Sequence, residues 1–172
     1  MTHARHLLVA ISAHGFGHLA QTAEVVNAVR ERLPSLRLTV RSALPHARLA
    51  ARLAGAFEYW PEACDIGMHM GSALDILIED SARAYAELHQ DWESTVRNEA
   101  RWLAALAPDL VLANVPYRVL AGAAAAGIPA VALCSLNWAD IYRHYYGQRP
   151  EAPTILRQIT AAYRSADWFL QP

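Results

Sequence analysis

Residues 6–18 read HLLVAISAHGFGH and join a short apolar run to a glycine-rich turn. The run over residues 6–12 is apolar and partly β-branched, which is typical of a buried parallel strand. From Leu19 onward, apolar residues recur at helical spacing until Pro34, which predicts a helix there. A strand, a glycine-rich turn and a helix in this order favour ligand binding, because glycines let a ligand approach the backbone and the helix start offers unpaired N–H groups.

The rest of the chain alternates between apolar runs and amphipathic stretches. The apolar runs predict strands at residues 37–41, 57–60, 110–114, 128–134 and 167–172. The amphipathic stretches predict helices at residues 46–54, 78–106 and 154–165 and an alanine-rich helix that ends at Gly127, whereas residues 61–72 and 135–153 read as loops. This alternation implies that residues 1–172 form one Rossmann-like α/β domain, a three-layer α/β/α arrangement with a mostly parallel sheet.

The composition excludes several classes of function. The formal net charge is −1, so no overall field attracts nucleic acid. All 15 basic residues are arginines, so the chain has neither a Schiff-base lysine nor a lysine-containing phosphate loop. Cys64 and Cys134 are too few to build a disulfide framework. We find neither a signal-peptide pattern nor an apolar stretch of the roughly 18 residues that cross a bilayer, which predicts a cytoplasmic protein without an integral membrane segment.

The loops that follow the predicted strands are the candidate binding segments. In open parallel sheets, ligands bind beyond the carboxyl ends of the strands, where the strand order reverses. The loops are residues 13–18, 42–46, 65–69, 114–117 and 135–142. The candidate substrate-binding residues are His14, Gly15, Phe16, Gly17, Asn114, Tyr117, Ser135, Asn137, Trp138 and Asp140. If the first and fourth strands are neighbours, Asn114 and Tyr117 face the glycine-rich turn.

His18 is the candidate catalytic residue. It falls near the first position of the predicted helix, where the helix dipole disfavours a positive imidazolium. A neutral imidazole near pH 7 is what a general base requires. The alternatives are that His18 only hydrogen-bonds a neighbouring loop, and that His14 has a purely conformational place in the turn. The two histidines have no evident third ligand, so we predict no metal site.

A dinucleotide site is a competing interpretation of the same turn. Residues 15–20, GFGHLA, match the pattern G-x-G-x-x-A and follow a predicted strand, as a dinucleotide-binding turn requires. Such a turn also needs an acidic residue about twenty positions later, at the end of the second strand. The chain has Arg41 there instead. Since an arginine can hold a 2′-phosphate, an NADP-binding domain stays open as an alternative.

Several stretches resemble a known family. Residues 12–18, SAHGFGH, resemble the loop after the first strand of GT-B-fold glycosyltransferases. They are most similar to the glycosyltransferase-like group that includes the N-terminal part of L-arabinokinases, whose loop reads Gly-His-Gly-Phe-Gly-His, with Ala13 here in place of the first glycine. Residues 108–111 (PDLV), 126–129 (AGIP) and 137–142 (NWADIY) are similar too, so the likeness covers most of the chain in order.

This resemblance implies the N-terminal, acceptor-side half of a two-domain GT-B protein, with the donor-binding half absent from residues 1–172. It implies transfer of a sugar from a nucleotide-sugar co-substrate to a hydroxyl acceptor, without a metal or another cofactor. In several such families a histidine just after the first strand deprotonates the acceptor, and His18 matches it by position. Alone, the chain is then expected to be inactive, and it pairs with a donor-binding domain or with a second copy of itself. The alternative is a non-catalytic module that binds a sugar or a nucleotide.

Overall fold

The computed structural model describes residues 4–72 and 74–171. Within them, one sheet of six parallel strands is covered by seven helices. The strands are β1 His6–Ile11, β2 Arg37–Arg41, β3 Glu58–Trp60, β4 Leu110–Asn114, β5 Ala130–Leu133 and β6 Trp168–Leu170. The helices are α1 Gly17–Arg32, α2 His46–Ala50, α3 Ile78–Gln90, α4 Trp92–Leu106, α5 Tyr117–Ala126, α6 Trp138–Tyr146 and α7 Ala152–Arg164. The predicted Rossmann-like α/β fold is confirmed.

The strand order places β1 beside β4. The order is β3-β2-β1-β4-β5-β6, so the chain builds outward from β1 to β3 and then returns to the other side of β1. In the register of this pair, Ile11 lies opposite Asn114. The strand order therefore reverses between β1 and β4, and the loops after these two strands meet at the carboxyl edge.

Both faces of the sheet are buried, which explains why β1 is a continuous apolar run. Leu7, Val9 and Ile11 point to one face and belong to the core beneath α1 and α2. Leu8 and Ala10 point to the other face and belong to the larger core beneath α3 to α7. Alternating side chains on a strand point in opposite directions, so a strand between two helical layers has no polar side. None of the helices formed by residues 4–72 and 74–171 is long and apolar enough to cross a membrane.

The predicted helix over residues 78–106 is in fact two helices. Asp91 adopts φ −126° and ψ 64°, which ends α3, and its carboxylate accepts a hydrogen bond from the Ser94 N–H to cap α4. The apolar stripe continues across this break, so the periodicity alone predicted one helix. The sequence signal for the break is the aspartate, because a short acidic side chain is a favoured helix N-cap.

The predicted loop over residues 135–153 contains α6, which the sequence analysis missed. The side chain of Asn137 accepts a hydrogen bond from the Asp140 N–H at 3.0 Å and caps this helix. Trp138, Tyr142 and Tyr146 are buried on its inner face. Their spacing of four residues is helical, but the surrounding polar residues obscured it.

The remaining boundaries are close to the prediction. α2 ends at Ala50, although the prediction extended it to residue 54. α7 and β6 lie where they were predicted, and residue 172, at the end of the predicted last strand, lies outside the described residues.

Helices α4 and α5 pack unusually closely, and a buried ion pair lies beneath them. A β-carbon at Gly122 of α5 would lie 2.8 Å from the Glu99 Cβ of α4, so only glycine fits this crossing. Glu99 forms an ion pair with Arg41 at the end of β2, and only 5% and 4% of these two side chains are exposed. The Arg41 guanidinium lies 4.5 Å from the centroid of the Trp102 ring. This pair ties the helical layer to the sheet.

Candidate functional site

The candidate site lies at the carboxyl edge, between the loop after β1 and the loop after β4. α1 begins at Gly17, so His18 lies in its first turn, as predicted. His18 is 7% exposed, and its Nδ1 lies 3.1 Å from the Oδ1 of Asn114, the last residue of β4. The reversal of strand order therefore brings together two residues that are 96 positions apart.

The Asn114 side chain determines which nitrogen of His18 carries the proton. Its Nδ2 donates to the His18 carbonyl at 3.1 Å and to the Thr22 hydroxyl at 3.0 Å, and it lies 3.4 Å from the Gln21 Oε1. These acceptors fix the orientation of the amide, so its Oδ1 faces His18. An amide oxygen only accepts hydrogen bonds. The Nδ1–H of His18 therefore donates, and Nε2 keeps a lone pair.

The surroundings of His18 favour its neutral form. Burial lowers the pKa of His18 below its usual value, and the charge of His14 adds to this effect. The hydrogen bond with Asn114 and the charge of Asp65 raise the pKa, but they do not offset burial. The sequence predicts the neutral state from the helix dipole, whereas in the structure burial is the main cause. A neutral imidazole with a lone pair on Nε2 can accept a proton.

Asn114 positions His18 instead of lining the open edge where a substrate was predicted to touch it. Asn114 is fully buried, and its side-chain amide donates hydrogen bonds to residues of α1. The next residue, Val115, has φ 81°, which is unusual for a β-branched side chain. Its carbonyl accepts a hydrogen bond from the Tyr163 hydroxyl at 2.7 Å. Strained backbone of this kind is found where surrounding contacts hold a functional residue in place.

The glycine-rich turn forms the open wall of the site. Gly15 has φ 97°, a conformation that side chains disfavour. A β-carbon at Gly15 or at Gly17 would meet no described atom within 4 Å, so space lies beside this backbone. Phe16 is 60% exposed, and the exposed His14 ring meets Trp138 edge-on, with 5.5 Å between the ring centroids. The structure thus brings the four predicted binding residues of the turn together with His18.

Asp65 belongs to this site, although the sequence analysis did not single it out. It lies in the loop between β3 and α3, and its Oδ2 accepts a hydrogen bond from the Nε1 of Trp138 at 2.7 Å. Trp138 was predicted to contact a substrate, but it is fully buried and supports this carboxylate instead. Burial raises the pKa of Asp65 above its usual value, and its hydrogen bonds with Trp138 and Ser12 offset only part of this rise.

Tyr117 lies in the core and not in the site. It is 1% exposed, and its hydroxyl lies 2.8 Å from the Nε2 of His89. The Nδ1 of His89 lies 2.7 Å from the Oε1 of Gln158. From the sequence, an aromatic residue that follows a strand can either bind a ligand or pack in the core. In the structure, Tyr117 packs in the core.

The buried His89 predicts acid sensitivity. Burial lowers its pKa to about 4, whereas the unfolded chain has the usual value near 6.5. Between these two values the unfolded state binds more protons, so the free energy of unfolding decreases as the pH falls. We expect His89 to lower the free energy of unfolding by about 2 kcal/mol between pH 7 and pH 5. Urea unfolding at both pH values measures this change, and the His89→Gln variant should lose less stability between them. An equal loss in both proteins contradicts this role.

The three other predicted residues lie in the loop after β5 and at the start of α6. Ser135 is exposed and its hydroxyl accepts a hydrogen bond from the Gln21 Nε2 at 3.3 Å. Asn137 and Asp140 form the cap of α6, and Asp140 also pairs with Arg143 at 2.6 Å. Hydrogen bonds from Asn137 and Arg143 lower the pKa of Asp140. Ser135 and Asp140 thus lie at the same edge as His18, with their polar groups partly engaged.

The geometry disfavours the NADP alternative. Arg41, which would hold the 2′-phosphate, is 4% exposed, and its guanidinium pairs with Glu99 and, at 2.6 Å, with Glu62. A guanidinium that two carboxylates already neutralise does not attract a phosphate. Among residues 4–72 and 74–171, no three His, Cys, Asp or Glu side chains lie together in a way that could hold a metal ion.

Known structures of the same fold were found, although no protein-family model and no curated protein matches the sequence. The structure of Phytolacca americana UGT2 with UDP-2-fluoro-glucose and pterostilbene has a TM-score of 0.58 and 14% sequence identity. The match covers 99% of this chain and 48% of the UGT2 chain. A putative UDP-N-acetylglucosamine 2-epimerase from Listeria monocytogenes has a TM-score of 0.57 and 13% identity. The match covers 99% of this chain and 39% of the epimerase chain. A Polygonum tinctorium UDP-glucosyltransferase capable of glucosylating indoxyl has a TM-score of 0.56 and 11% identity. The match covers 99% of this chain and 46% of the glucosyltransferase chain.

These similarities concern the fold. The chain spans less than half the length of the three structures, and the proteins include an epimerase as well as glycosyltransferases. Fold similarity at such low identity does not assign a reaction. The chain has a Rossmann-like, glycosyltransferase-like fold that corresponds to one half of the GT-B fold.

Proposed function

We propose that this chain is the N-terminal, acceptor-side half of a GT-B glycosyltransferase. The observation that carries the proposal is the pairing of His18 with Asn114, which leaves the Nε2 of a neutral imidazole as a proton acceptor beside the glycine-rich turn. The resemblance of residues 12–18 to the same loop in that family supports it. The alternative of a non-catalytic binding module explains the open space beside the turn but does not require an oriented base.

The proposed reaction uses His18 as a general base. The Nε2 lone pair takes the proton of an acceptor hydroxyl, and the resulting oxygen attacks the anomeric carbon of the donor sugar. The bond from that carbon to the phosphate oxygen breaks, and the nucleoside diphosphate leaves with the electron pair. The proton stays on His18 as an imidazolium and is then released to water. The open space beside Gly15 and Gly17 lets acceptor and donor oxygens come close to the backbone.

A donor-binding half is proposed to cover the carboxyl edge. Large apolar side chains are exposed in three of its loops: Phe16 is 60% exposed, Leu136 is 40% exposed and Leu74 is 96% exposed. Large exposed apolar side chains in several loops at one edge are typical of an interface. The nucleotide-sugar would then lie between the two halves, so this chain alone is expected to transfer no sugar.

The variant Gly17→Ala should impair ligand binding without lowering the stability of the fold. Gly17→Ala meets no described atom within 4 Å, and Gly17 is the first residue of α1, where alanine favours the helix. We expect the free energy of unfolding to stay equal or to rise by up to about 1 kcal/mol. The catalytic efficiency of the complete protein should fall at least tenfold, because the methyl group fills the space into which the ligand approaches. Unchanged efficiency contradicts a close approach at this turn.

The proposal is tested by joining the chain to its downstream coding sequence and assaying transfer. The protein is incubated with UDP-sugars and a panel of hydroxyl acceptors, and both nucleotide release and the glycosylated product are measured. Release that depends on the acceptor supports the proposal. If the nucleotide-sugar is epimerised, or bound without turnover, the chain belongs to another reaction class or to a binding module.

A further inference from the structure

A polar cavity lies beside α4 and is separate from the glycine-rich turn. Its volume is about 360 Å³, which is within the range of pockets that bind small molecules. The side chains in its wall include four charged groups, an amide and an indole: Arg41, Glu62, Glu99, Arg118, Asn98 and Trp102. No residue of the turn is among the described residues that line this cavity, so binding here does not depend on the proposed base.

The charges in the cavity wall balance each other. Arg41 pairs with Glu99 and, at 2.6 Å, with Glu62. Arg118 pairs with the same two carboxylates, because its Nε lies 3.1 Å from Glu99 and its Nη2 lies 3.6 Å from Glu62. Two guanidinium groups and two carboxylates have no net charge, so the wall attracts neither an anion nor a cation strongly.

The wall keeps hydrogen-bond donors that no described residue satisfies. Both Nη atoms of Arg41 are bonded to carboxylates, but its Nε has no hydrogen-bond partner among the described residues, although the side chain is only 4% exposed. The buried Nε of Arg118 lacks such a partner too, because its approach to Glu99 does not have the geometry of a hydrogen bond. The exposed Asn98 accepts from Arg101 with its Oδ1, and its Nδ2 donates to no described atom. Buried donors without a partner are rare, and a bound molecule is one explanation for them.

We propose that this cavity binds a neutral polyhydroxylated molecule of the size of a monosaccharide. A hydroxyl group both donates and accepts hydrogen bonds, so neighbouring hydroxyls can donate to the carboxylates and accept from the guanidinium and amide groups. An anionic ligand would face Glu62 and Glu99, and a cationic ligand would face the two arginines. A planar base would need an aromatic face, but the Arg41 guanidinium already lies over the Trp102 ring, 4.5 Å from its centroid.

The test is a titration of the 172-residue chain with glucose, N-acetylglucosamine and inositol, followed by ¹H–¹⁵N NMR. The Nε–H signal of Arg41 and the side-chain amide signal of Asn98 report on the cavity, and at least one probe should shift both signals in a saturable manner. Asn98→Ala should weaken this binding about three- to tenfold, the effect of one lost hydrogen bond. Asn98→Phe fills the mouth of the cavity and should abolish binding, and since Asn98 is exposed, both variants should keep the fold. Arg97→Gln removes an exposed charge from α4 outside the cavity and should change nothing.

Three results of this titration would overturn the proposal. If none of the three probes shifts the Arg41 signal at concentrations well above a millimolar, the cavity holds only water. If inorganic phosphate shifts the same signal and displaces the sugar, the cavity is an anion site and the charge balance does not determine its ligand. If the Arg41 signal shifts equally in the unmodified chain and in both Asn98 variants, the probe binds elsewhere. The titration needs no turnover, so its result is independent of the transfer assay.

Discussion

Replacing His18 with alanine is expected to lower sugar transfer by the complete protein about 10²–10⁴-fold, the usual contribution of a general base. The Nε2 lone pair is lost, and water has to take the acceptor proton. The loss should lie in kcat, because the acceptor hydroxyl keeps its other contacts. Since burial lowers the pKa of His18, the activity of the unmodified protein should persist below pH 6.5 and decline only as the base is protonated.

Two further variants exclude a general structural effect. His18→Gln keeps a donor for the Asn114 oxygen but has no basic nitrogen, so it should lose as much activity and less stability than alanine. His144→Gln removes an exposed histidine from α6 and should leave turnover unchanged. If His18→Gln retains activity within about threefold of the unmodified protein, another group is the base.

Glu99→Ala is expected to lower the free energy of unfolding by about 3–5 kcal/mol, the range for breaking a buried ion pair from one side. Arg41 would keep its charge in the interior, where it is 4% exposed, with only the half-exposed Glu62 to neutralise it. The methylene groups of Glu99 also fill the contact with Gly122, so a cavity between α4 and α5 adds to the loss. Urea unfolding followed by circular dichroism measures the change.

The matched control lies on the same helix. Glu93 pairs with Arg97 at 3.5 Å, but 88% of its side chain is exposed, and such surface pairs contribute less than about 1 kcal/mol. Glu93→Ala should therefore have little effect. If the two alanine variants unfold at similar urea concentrations, the buried pair does not stabilise the fold as described.

The sequence predicted the parts of the site that depend on local pattern. The apolar run of β1 and the glycines after it placed His18 in the first turn of α1. Asn114 was expected opposite the turn only if β1 and β4 are neighbours, and the structure meets that condition. The residues that were misassigned depend on long-range packing. Trp138 and Tyr117 follow strands, but whether an aromatic ring there faces solvent or the core is decided by helices from other parts of the chain.

The sequence also did not identify Asp65, because its contacts come from distant parts of the chain. Its partner Trp138 is 73 positions away, so nothing in the sequence around Asp65 indicates that its carboxylate is enclosed. Arg41 shows the same limit, because the sequence left its role as a phosphate ligand open. As the last residue of β2 it matched a phosphate-binding position, and only the fold shows Glu99 against it, 58 positions later. Periodicity reports which face of an element is apolar, but it does not report the partner of a buried charge.

The most direct test of the account is the tautomer of His18 in this chain at pH 7, read from the ¹⁵N shifts of its two ring nitrogens. We predict a neutral ring with the proton on Nδ1, hydrogen-bonded to the Asn114 Oδ1, and an unprotonated Nε2. Asn114→Leu should remove this preference. A charged ring at pH 7, or a neutral ring with its proton on Nε2, would contradict the claim that the turn presents an oriented base.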